Sequence, residues 1–200
     1  MTEYAYAVVH DGNKNILMFR KNQRGYFFRW KAIKRQGKEL HGGGKWSIPG
    51  GKVDSRPRPN ETDQQWKERV TPEAVREFEE ETRTNISALP STCQRWWDDA
   101  LHAYYYGTYF ECIPDQLKDS LDGFAPVLAA GKNAHDLIRN GKIHEGFDVR
   151  LIEGCGIAQR DDEQESVEIW NIDAKWNEIE TWTADRDLSW FYQILLKMRQ

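Results

Sequence analysis

Hydrophobic and polar positions predict strands at several places along the chain. The runs YAYAVVH at residues 4–10 and NILMFRK at residues 15–21 are rich in β-branched and aromatic side chains, and the polar turn DGNKN separates them. Two such runs around a short turn predict paired antiparallel strands. Three later runs predict further strands: HAYYYGTYFECI at residues 102–113, GFDVRLIEGCGIA at 146–158 and SVEIWNI at 166–172.

Helical signals occur in three other segments. Thr71 is a suitable N-cap and Pro72 a favourable first helical residue, so TPEAVREFEEET predicts a helix that begins there. The amphipathic run LSWFYQILLKMRQ at residues 188–200 predicts a terminal helix. Residues 114–146 alternate helical patches with glycines, which predicts a helical segment broken at those glycines. Strands mixed with a few helices predict a layered α/β or α+β domain.

Loop signals separate these elements. Residues 25–44 are basic and aromatic and end in three glycines, which predicts an extended loop. KWSIPGGKVD at residues 45–54 predicts a short strand that ends in a tight turn, and the proline-rich residues 55–62 predict an exposed loop.

Composition bounds the class of protein. The 200 residues fit one domain, and 39% of them are hydrophobic, so a sizeable core is expected. The net charge of −4 gives no general attraction to nucleic acid. Three cysteines without CxxC spacing argue against a disulfide framework and a thiolate zinc site. The first residues resemble no signal peptide and no apolar run reaches membrane-spanning length, so we expect a soluble cytoplasmic protein.

Charge is distributed unevenly along the chain. From Arg20 to Lys45 there are nine Lys or Arg residues and one acid, whereas acids dominate from Glu68 to Glu81. A basic segment followed by an acidic one indicates an anionic ligand that is held with the help of a metal ion.

The acidic segment forms one face of the predicted helix. At about 100° per residue, four carboxylates share an arc of roughly 100°, beside the face that packs on the core. These are Glu73, Glu77, Glu80 and Glu81. Carboxylates at this spacing suit Mg²⁺ or Mn²⁺, although a solvated acidic face is the alternative.

The same residues carry a resemblance to a known family. Five residues match the Arg-Glu-apolar-x-Glu-Glu centre of the Nudix signature: Arg76, Glu77, Phe78, Glu80 and Glu81. Glu68 lies eight positions before the arginine, and WSIPGG resembles the lead-in strand and turn, with Gly51 as the signature glycine. The chain therefore resembles the Nudix hydrolases over residues 46–84.

Two departures from the signature alter the local expectation. Sixteen residues separate Gly51 from Glu68 where the family has five, which indicates an eleven-residue insertion. The closing glycine of the signature falls on Arg83, so we expect the helix to run two residues further and Asn85 to take the left-handed position.

The resemblance implies a fold and an activity. The fold would be an α/β/α sandwich with a mixed central sheet, as a single domain over residues 1–200 with insertions at about 22–44, 54–66 and 114–146. The activity would be metal-dependent hydrolysis of a nucleoside diphosphate linked to another moiety. That substrate could be a nucleotide sugar, ADP-ribose, a dinucleotide or a nucleoside triphosphate. Two alternatives stay open: a non-catalytic nucleotide sensor and a role at RNA ends.

The resemblance also implies roles for residues. Glu77, Glu80 and Glu81 would ligate Mg²⁺ or Mn²⁺, with Glu68 and the backbone carbonyl of Gly51 as further ligands. Arg76 would support the site structurally. The family often places another glutamate before a late strand, for which the sequence offers Glu163, Glu165 and Glu168. Glu165 is favoured as catalytic, and an exposed acidic turn is the alternative.

The basic segment is a candidate for substrate binding. Arg24, Arg29 or Lys34 would contact phosphates, and Trp30 would stack on a base. A surface hairpin without a binding role is the alternative. The expected partner is a nucleotide-type small molecule rather than a membrane or nucleic acid, and residues 114–146 would cover the pocket or form a homodimer contact.

Overall fold

The computed structural model describes residues 2–58, 60–185 and 187–200. The strands are β1 (Thr2–His10), β2 (Asn15–Lys21), β3 (Arg24–Gly25), β4 (Phe27–Phe28), β5 (Lys31–Ala32), β6 (Lys38–Glu39), β7 (Trp46–Ser47), β8 (Gly50–Lys52), β9 (Ser91–Asp98), β10 (Ala103–Glu111) and β11 (Gln164–Asn171). The helices are α1 (Asp63–Thr82), α2 (Pro114–Arg139), α3 (Ile172–Thr181) and α4 (Ser189–Arg199), with 3₁₀ turns at Val149–Leu151 and Trp182–Ala184.

The central sheet is mixed. Its order is β11-β2-β1-β10-β9, with β7 added to β2 and β8 added to β1. β1 and β10 are parallel over their whole length, whereas the other pairs are antiparallel. The predicted pairing of β1 with β2 is confirmed.

Both faces of the sheet are covered by helices. Because successive side chains of a strand point to opposite faces, Ala5, Ala7 and Val9 pack in the core that contains α1 and α2. Tyr6 and Val8 pack in the core that contains α3 and α4. The predicted α/β/α layering with a mixed sheet is therefore confirmed.

Helix α1 begins earlier than the sequence predicts. Thr62 is the N-cap, and its side chain and that of Gln65 form a reciprocal capping box. Thr71 is therefore not the N-cap, and Pro72 lies inside the helix. The buried positions repeat at helical spacing through that proline: Trp66, Val70, Ala74 and Phe78. This continuous apolar stripe explains why the helix continues across it.

The end of α1 also differs from the expectation. Arg83 itself adopts the left-handed conformation, with φ 64° and ψ 15°, and its backbone N–H donates to the carbonyl of Glu79. The expected shift to Asn85 is therefore wrong. The side-chain hydroxyl of Thr82 also donates to the carbonyl of Phe78 at 2.6 Å, and these local hydrogen bonds help to hold the tight end.

Helix α2 is continuous, so the predicted breaks at its glycines are wrong. Gly131 is a buried residue of α2. A Cβ there would lie 2.3 Å from Oε1 of Gln159, so glycine at this position leaves room for that side chain. Residues 146–158 form a 3₁₀ turn and loop rather than the predicted strand, and Cys155 and Ala158 pack on α2 in a third core cluster. None of the helices in the described part of the chain is long and apolar enough to cross a membrane.

A buried ion network fixes α1 to β1 and to the preceding loop. The Arg69 side chain, 9% exposed, bonds both oxygens of Glu3 at 2.9 and 3.0 Å. It also bonds both oxygens of Glu61 at 2.7 and 2.8 Å. The Tyr106 hydroxyl donates to Glu3 from β10. The loop that precedes α1 is thereby tied to the sheet.

The predicted extended loop at residues 25–44 contains small antiparallel pairs. β3 pairs with β6, and β4 pairs with β5. The two residues between β4 and β5 are Arg29 and Trp30, with φ of 49° and 58°. Left-handed backbone at two bulky residues is strained, and such strain is common at functional sites.

Candidate active site

A cleft of about 1020 Å³ opens between the end of α1, strand β8, the loop before β11 and the start of α4. Carboxylates, cationic side chains and aromatic rings all line this cleft. Glu77, Glu80 and Glu81 are among its lining residues, together with Glu163. The fold therefore brings three of the four signature glutamates to one concave surface.

Glu81 is the most enclosed of these carboxylates, with 4% exposure. Its Oε1 accepts a hydrogen bond from the backbone N–H of Gly50 at 3.0 Å. Its Oε2 accepts one from the side-chain amide of Gln164. Two donors on different elements thus fix the carboxylate at the base of the cleft.

Arg76 bridges the glutamates of α1. Its Nε and Nη2 contact Oε2 of Glu73 at 3.1 and 3.0 Å, and Nη2 contacts Oε1 of Glu77 at 2.6 Å. Its Nη1 lies 3.2 Å from Oε1 of Glu80, which Arg160 also contacts. These contacts are the ones that a structural role of Arg76 requires.

Burial raises the pKa of two carboxylates in the cleft, Glu81 and Glu77. Burial raises the pKa of Glu81 to about 8, and the carboxylates of Glu163 and Glu77 add to that rise. Burial also raises the pKa of Glu77, although the guanidinium of Arg76 opposes it. Burial lowers the pKa of Lys21, but the carboxylates of Glu163 and Glu81 outweigh that effect and leave the pKa raised. A further cation beside these carboxylates would relieve the repulsion between them.

Of the three glutamates near β11, Glu163 is the one in the cleft. Its Oε2 lies 2.7 Å from Nζ of Lys21, which lines the same surface. Glu165 instead lines a separate groove and faces Arg20 at 3.8 Å. The register of β11 shifts between Gln164 and Ser166, and this irregularity places Glu165 away from the cleft.

Glu68 lies away from the other signature glutamates. It is exposed on α1, and its Oε1 accepts from Nε2 of Gln64 at 2.7 Å. Nine residues at about 100° each place it on the opposite side of the helix from Glu77. The long helix, rather than a loop insertion alone, explains this position.

The predicted phosphate-binding residues are divided between different surfaces. Arg29 lines the cleft. Trp30 lines an adjoining pocket together with Arg83, whose guanidinium lies 5.3 Å from the centre of its ring. The guanidinium of Arg150 lies 4.5 Å from the same ring centre. Arg24 lines the separate groove, and Lys34 is exposed on its turn.

The two glycines after Pro49 allow close contact between β8 and its neighbours. A Cβ on Gly50 would lie 2.3 Å from the carbonyl of Ala5, and one on Gly51 would lie 2.6 Å from Oε2 of Glu77. A side chain at either position would displace the turn or the carboxylate. The sequence identified Gly51 through the signature alone.

Several aromatic side chains that line the cleft lie on β1, β10 and α4. Tyr105 stacks on Trp190 with ring centres 5.2 Å apart, and Tyr6 lies 4.0 Å from the same indole. Tyr4 stacks on Tyr105 at 5.3 Å. Sequence reasoning missed this surface, although the alternation of Tyr4 and Tyr6 placed both on one face of a strand.

The carboxylates fit a hard divalent cation by their chemistry. Within residues 2–58, 60–185 and 187–200, no three His, Cys, Asp or Glu side chains already surround one point as ligands of an ion. Arg76 and Arg160 instead hold Glu80. Carboxylate oxygens are nevertheless the ligands that Mg²⁺ and Mn²⁺ prefer, so the residues present fit such an ion.

Comparison with protein-family models gives no match, and comparison with curated proteins gives none. Among solved structures, a MutT Nudix hydrolase from Burkholderia pseudomallei is 15% identical, with 86% of this chain and 84% of that chain aligned at a TM-score of 0.38. The Ap4A hydrolase of C. elegans is 17% identical over 57% and 71%, at 0.30. A MutT protein from Methanosarcina mazei Go1 is 18% identical over 55% and 61%, at 0.29. These sequence identities and TM-scores are too low to assign a function, so a function has to be inferred from the residues of the cleft.

Proposed function

We propose that this protein is a metal-dependent pyrophosphohydrolase of the Nudix type, which cleaves the diphosphate of a nucleoside diphosphate linked to another moiety. The observation that carries the proposal is the composition of one cleft. Carboxylates, several cationic side chains and stacked aromatic rings line the same cleft. A nucleotide combines anionic phosphates with a planar base, and these two groups match the two kinds of lining residue.

The carboxylates have the role of ion ligands. Glu77, Glu80 and Glu81 would hold Mg²⁺ or Mn²⁺, with Glu163 in place of Glu165 as the fourth carboxylate. The backbone carbonyl of Gly51 is a further proposed ligand. When bound, the ion would neutralise phosphate oxygens and lower the pKa of water. Glu68 lies on the opposite side of α1 from Glu77, so it is not proposed as a ligand.

Cationic side chains of the chain bind the diphosphate. Arg29 lines the cleft, Arg160 lines it in contact with Glu80, and Lys21 lines it in contact with Glu163. Arginine is suited to bidentate contacts with phosphate oxygens. Asp161 accepts the backbone N–H of Arg29 and thereby holds the strained turn that carries it.

The aromatic wall binds the base. Tyr4, Tyr6, Tyr105 and Trp190 line the cleft, where Tyr105 is stacked between Tyr4 and Trp190. Stacking of a base on an aromatic ring contributes about 1–3 kcal/mol and tolerates any base, because every base has a π face. The wall therefore supports a nucleoside moiety without selecting its identity.

A substrate screen tests the proposal. Nucleotide sugars, ADP-ribose, dinucleoside polyphosphates and nucleoside triphosphates are incubated with Mg²⁺ or Mn²⁺, with a chelator as control, and products are identified by mass. Glu81→Gln should abolish turnover. The matched control is Glu79→Gln, an exposed position on the same helix, which should retain it.

Three outcomes are informative. Ion-dependent cleavage that is lost in Glu81→Gln and retained in Glu79→Gln supports the enzyme. Activity of Glu81→Gln within a few-fold of wild type contradicts its role. Saturable nucleotide binding without cleavage would instead support the non-catalytic sensor.

A further inference from the structure

A second groove, of about 600 Å³, lies between α2 and the adjacent ends of β2 and β11. Its described lining residues are distinct from those of the cleft. Four Lys or Arg side chains line it, with one histidine and two carboxylates: Arg20, Arg24, Lys132, Arg139, His135, Asp136 and Glu165. The groove is therefore cationic in a protein whose net charge is −4.

The cations of the groove are free to exchange partners. Arg139 faces Asp136 at 2.8 Å and Arg20 faces Glu165 at 3.8 Å, and all four side chains are about half exposed. Exposed pairs of this kind contribute about 0–1 kcal/mol, so an anion can replace them. Among the described residues, Lys132 has no carboxylate within ion-pair distance.

Gln164 joins the groove to the cleft. It lines the groove, is 2% exposed, and donates its side-chain amide to Oε2 of Glu81. Its Oε1 is buried and accepts no hydrogen bond from the described residues. A buried acceptor without a donor is unfavourable, and a hydroxyl or amino group of a ligand would satisfy it.

We propose that this groove binds a phosphate monoester that also carries a hydroxyl or amino donor, and that the ligand acts through Gln164 on Glu81. The cations hold the phosphate, and the donor reaches Oε1 of Gln164. Ligand contact with one end of that amide then biases the position of its other end, which holds the carboxylate. The effect on turnover rests on the proposed hydrolase function, whereas the binding does not.

Calorimetric titration of the full chain tests the binding. Inorganic phosphate, ribose 5-phosphate, AMP and phosphate-free adenosine are the probes. Lys132→Glu should weaken binding of ribose 5-phosphate and AMP about tenfold, as expected for loss of one charge-assisted contact. Lys118→Glu is the matched control, because it makes the same change at another exposed position of α2.

The probes separate the sources of affinity. Ribose 5-phosphate and AMP binding more tightly than inorganic phosphate supports a site that uses the donor as well as the anion. Equal affinities in Lys132→Glu and Lys118→Glu would overturn the proposal, since binding in the cleft does not depend on Lys132. Absence of saturable binding by every phosphate probe would overturn it as well.

A nuclear magnetic resonance measurement tests the coupling without catalysis. The backbone N–H of Gly50 donates to Oε1 of Glu81 and reports the position of that carboxylate. Saturation of the groove should shift this resonance in wild type and in Lys118→Glu, and at the same ligand concentration the shift should be smaller in Lys132→Glu because its groove is only partly occupied. Binding that depends on Lys132 and leaves the Gly50 resonance unchanged would overturn the link through Gln164.

Discussion

A Cβ atom on Gly51 would lie 2.6 Å from Oε2 of Glu77. Real side chains do not approach this closely, so any Cβ at this position would displace the Glu77 carboxylate from its place beside the turn after Pro49. The glycine therefore controls where one proposed ligand stands.

Gly51→Ala should lower kcat/KM about 100-fold while the protein stays folded, because the methyl group displaces Glu77 by a fraction of an ångström or more. Steady-state kinetics with saturating Mg²⁺ measures the effect. Gly123→Ala is the control, since a Cβ at that helical position meets no atom within 4 Å. It should leave activity unchanged and stabilise the protein by about 0.5–1 kcal/mol.

Glu163→Gln should lower kcat about 100-fold, because the fourth carboxylate of the cleft is lost while the side-chain shape is kept. Glu165→Gln is the matched control two positions away and should change kcat less than about threefold. The reverse order of effects would restore Glu165 to the proposed site and remove Glu163 from it.

Trp190→Leu should raise KM about tenfold and change kcat little, because the stacking surface for the base contributes to substrate binding. Trp97→Leu, at a tryptophan that is 40% exposed on β9, is the control and should leave KM unchanged. A fall in kcat at unchanged KM for Trp190→Leu would argue against a base-binding wall.

Arg69→Met should lower the free energy of unfolding by about 3–5 kcal/mol, because it leaves Glu3 and Glu61 without their buried partner. Urea denaturation provides the measurement. Arg139→Met removes an exposed pair and should change stability by less than about 1 kcal/mol. Similar values for the two variants would show that the network contributes little.

The Glu61 carboxylate should make stability dependent on acid pH. Hydrogen bonding to Arg69 lowers its pKa below the ordinary value of 4.5, despite an opposing effect of burial. A lowered folded-state pKa gives stability that is present above the unfolded pKa and is lost as pH falls through the folded one. Wild type should therefore exceed Glu61→Gln in stability at pH 7, and the difference should shrink as pH falls below about 4.5. A difference that grows in acid would contradict this sign.

Much of the layered architecture was predictable, because β1, β2, β10, β11 and α4 bury regular stripes of hydrophobic side chains. β9 was missed because it is an edge strand, whose alternate residues are exposed and polar. The start of α1 was misplaced because Pro72 is a strong local signal for the first turn of a helix. The packing of the apolar stripe of α1 instead determines where this helix begins. Local patterns do not contain that tertiary contribution.

The candidate site was predictable where its residues share one helix. Glu77, Glu80 and Glu81 follow from helical spacing and from the signature. Glu163 and Lys21 meet across the β2–β11 pair, and that choice over Glu165 depends on a register irregularity. The expected left-handed Asn85 was wrong because Arg83 takes this conformation in spite of its Cβ. The register irregularity has no signal in a single sequence, whereas the closing glycine of the signature did mark position 83.

The parallel pairing of β1 with β10 has a consequence for how the chain acquires its structure. Thr2 is paired with Ala103, and His10 with Glu111. Contacts between such distant segments close large loops, so the middle of the sheet forms late and slowly. During synthesis, β1 can pair with β10 only after more than half of the polypeptide has emerged from the ribosome.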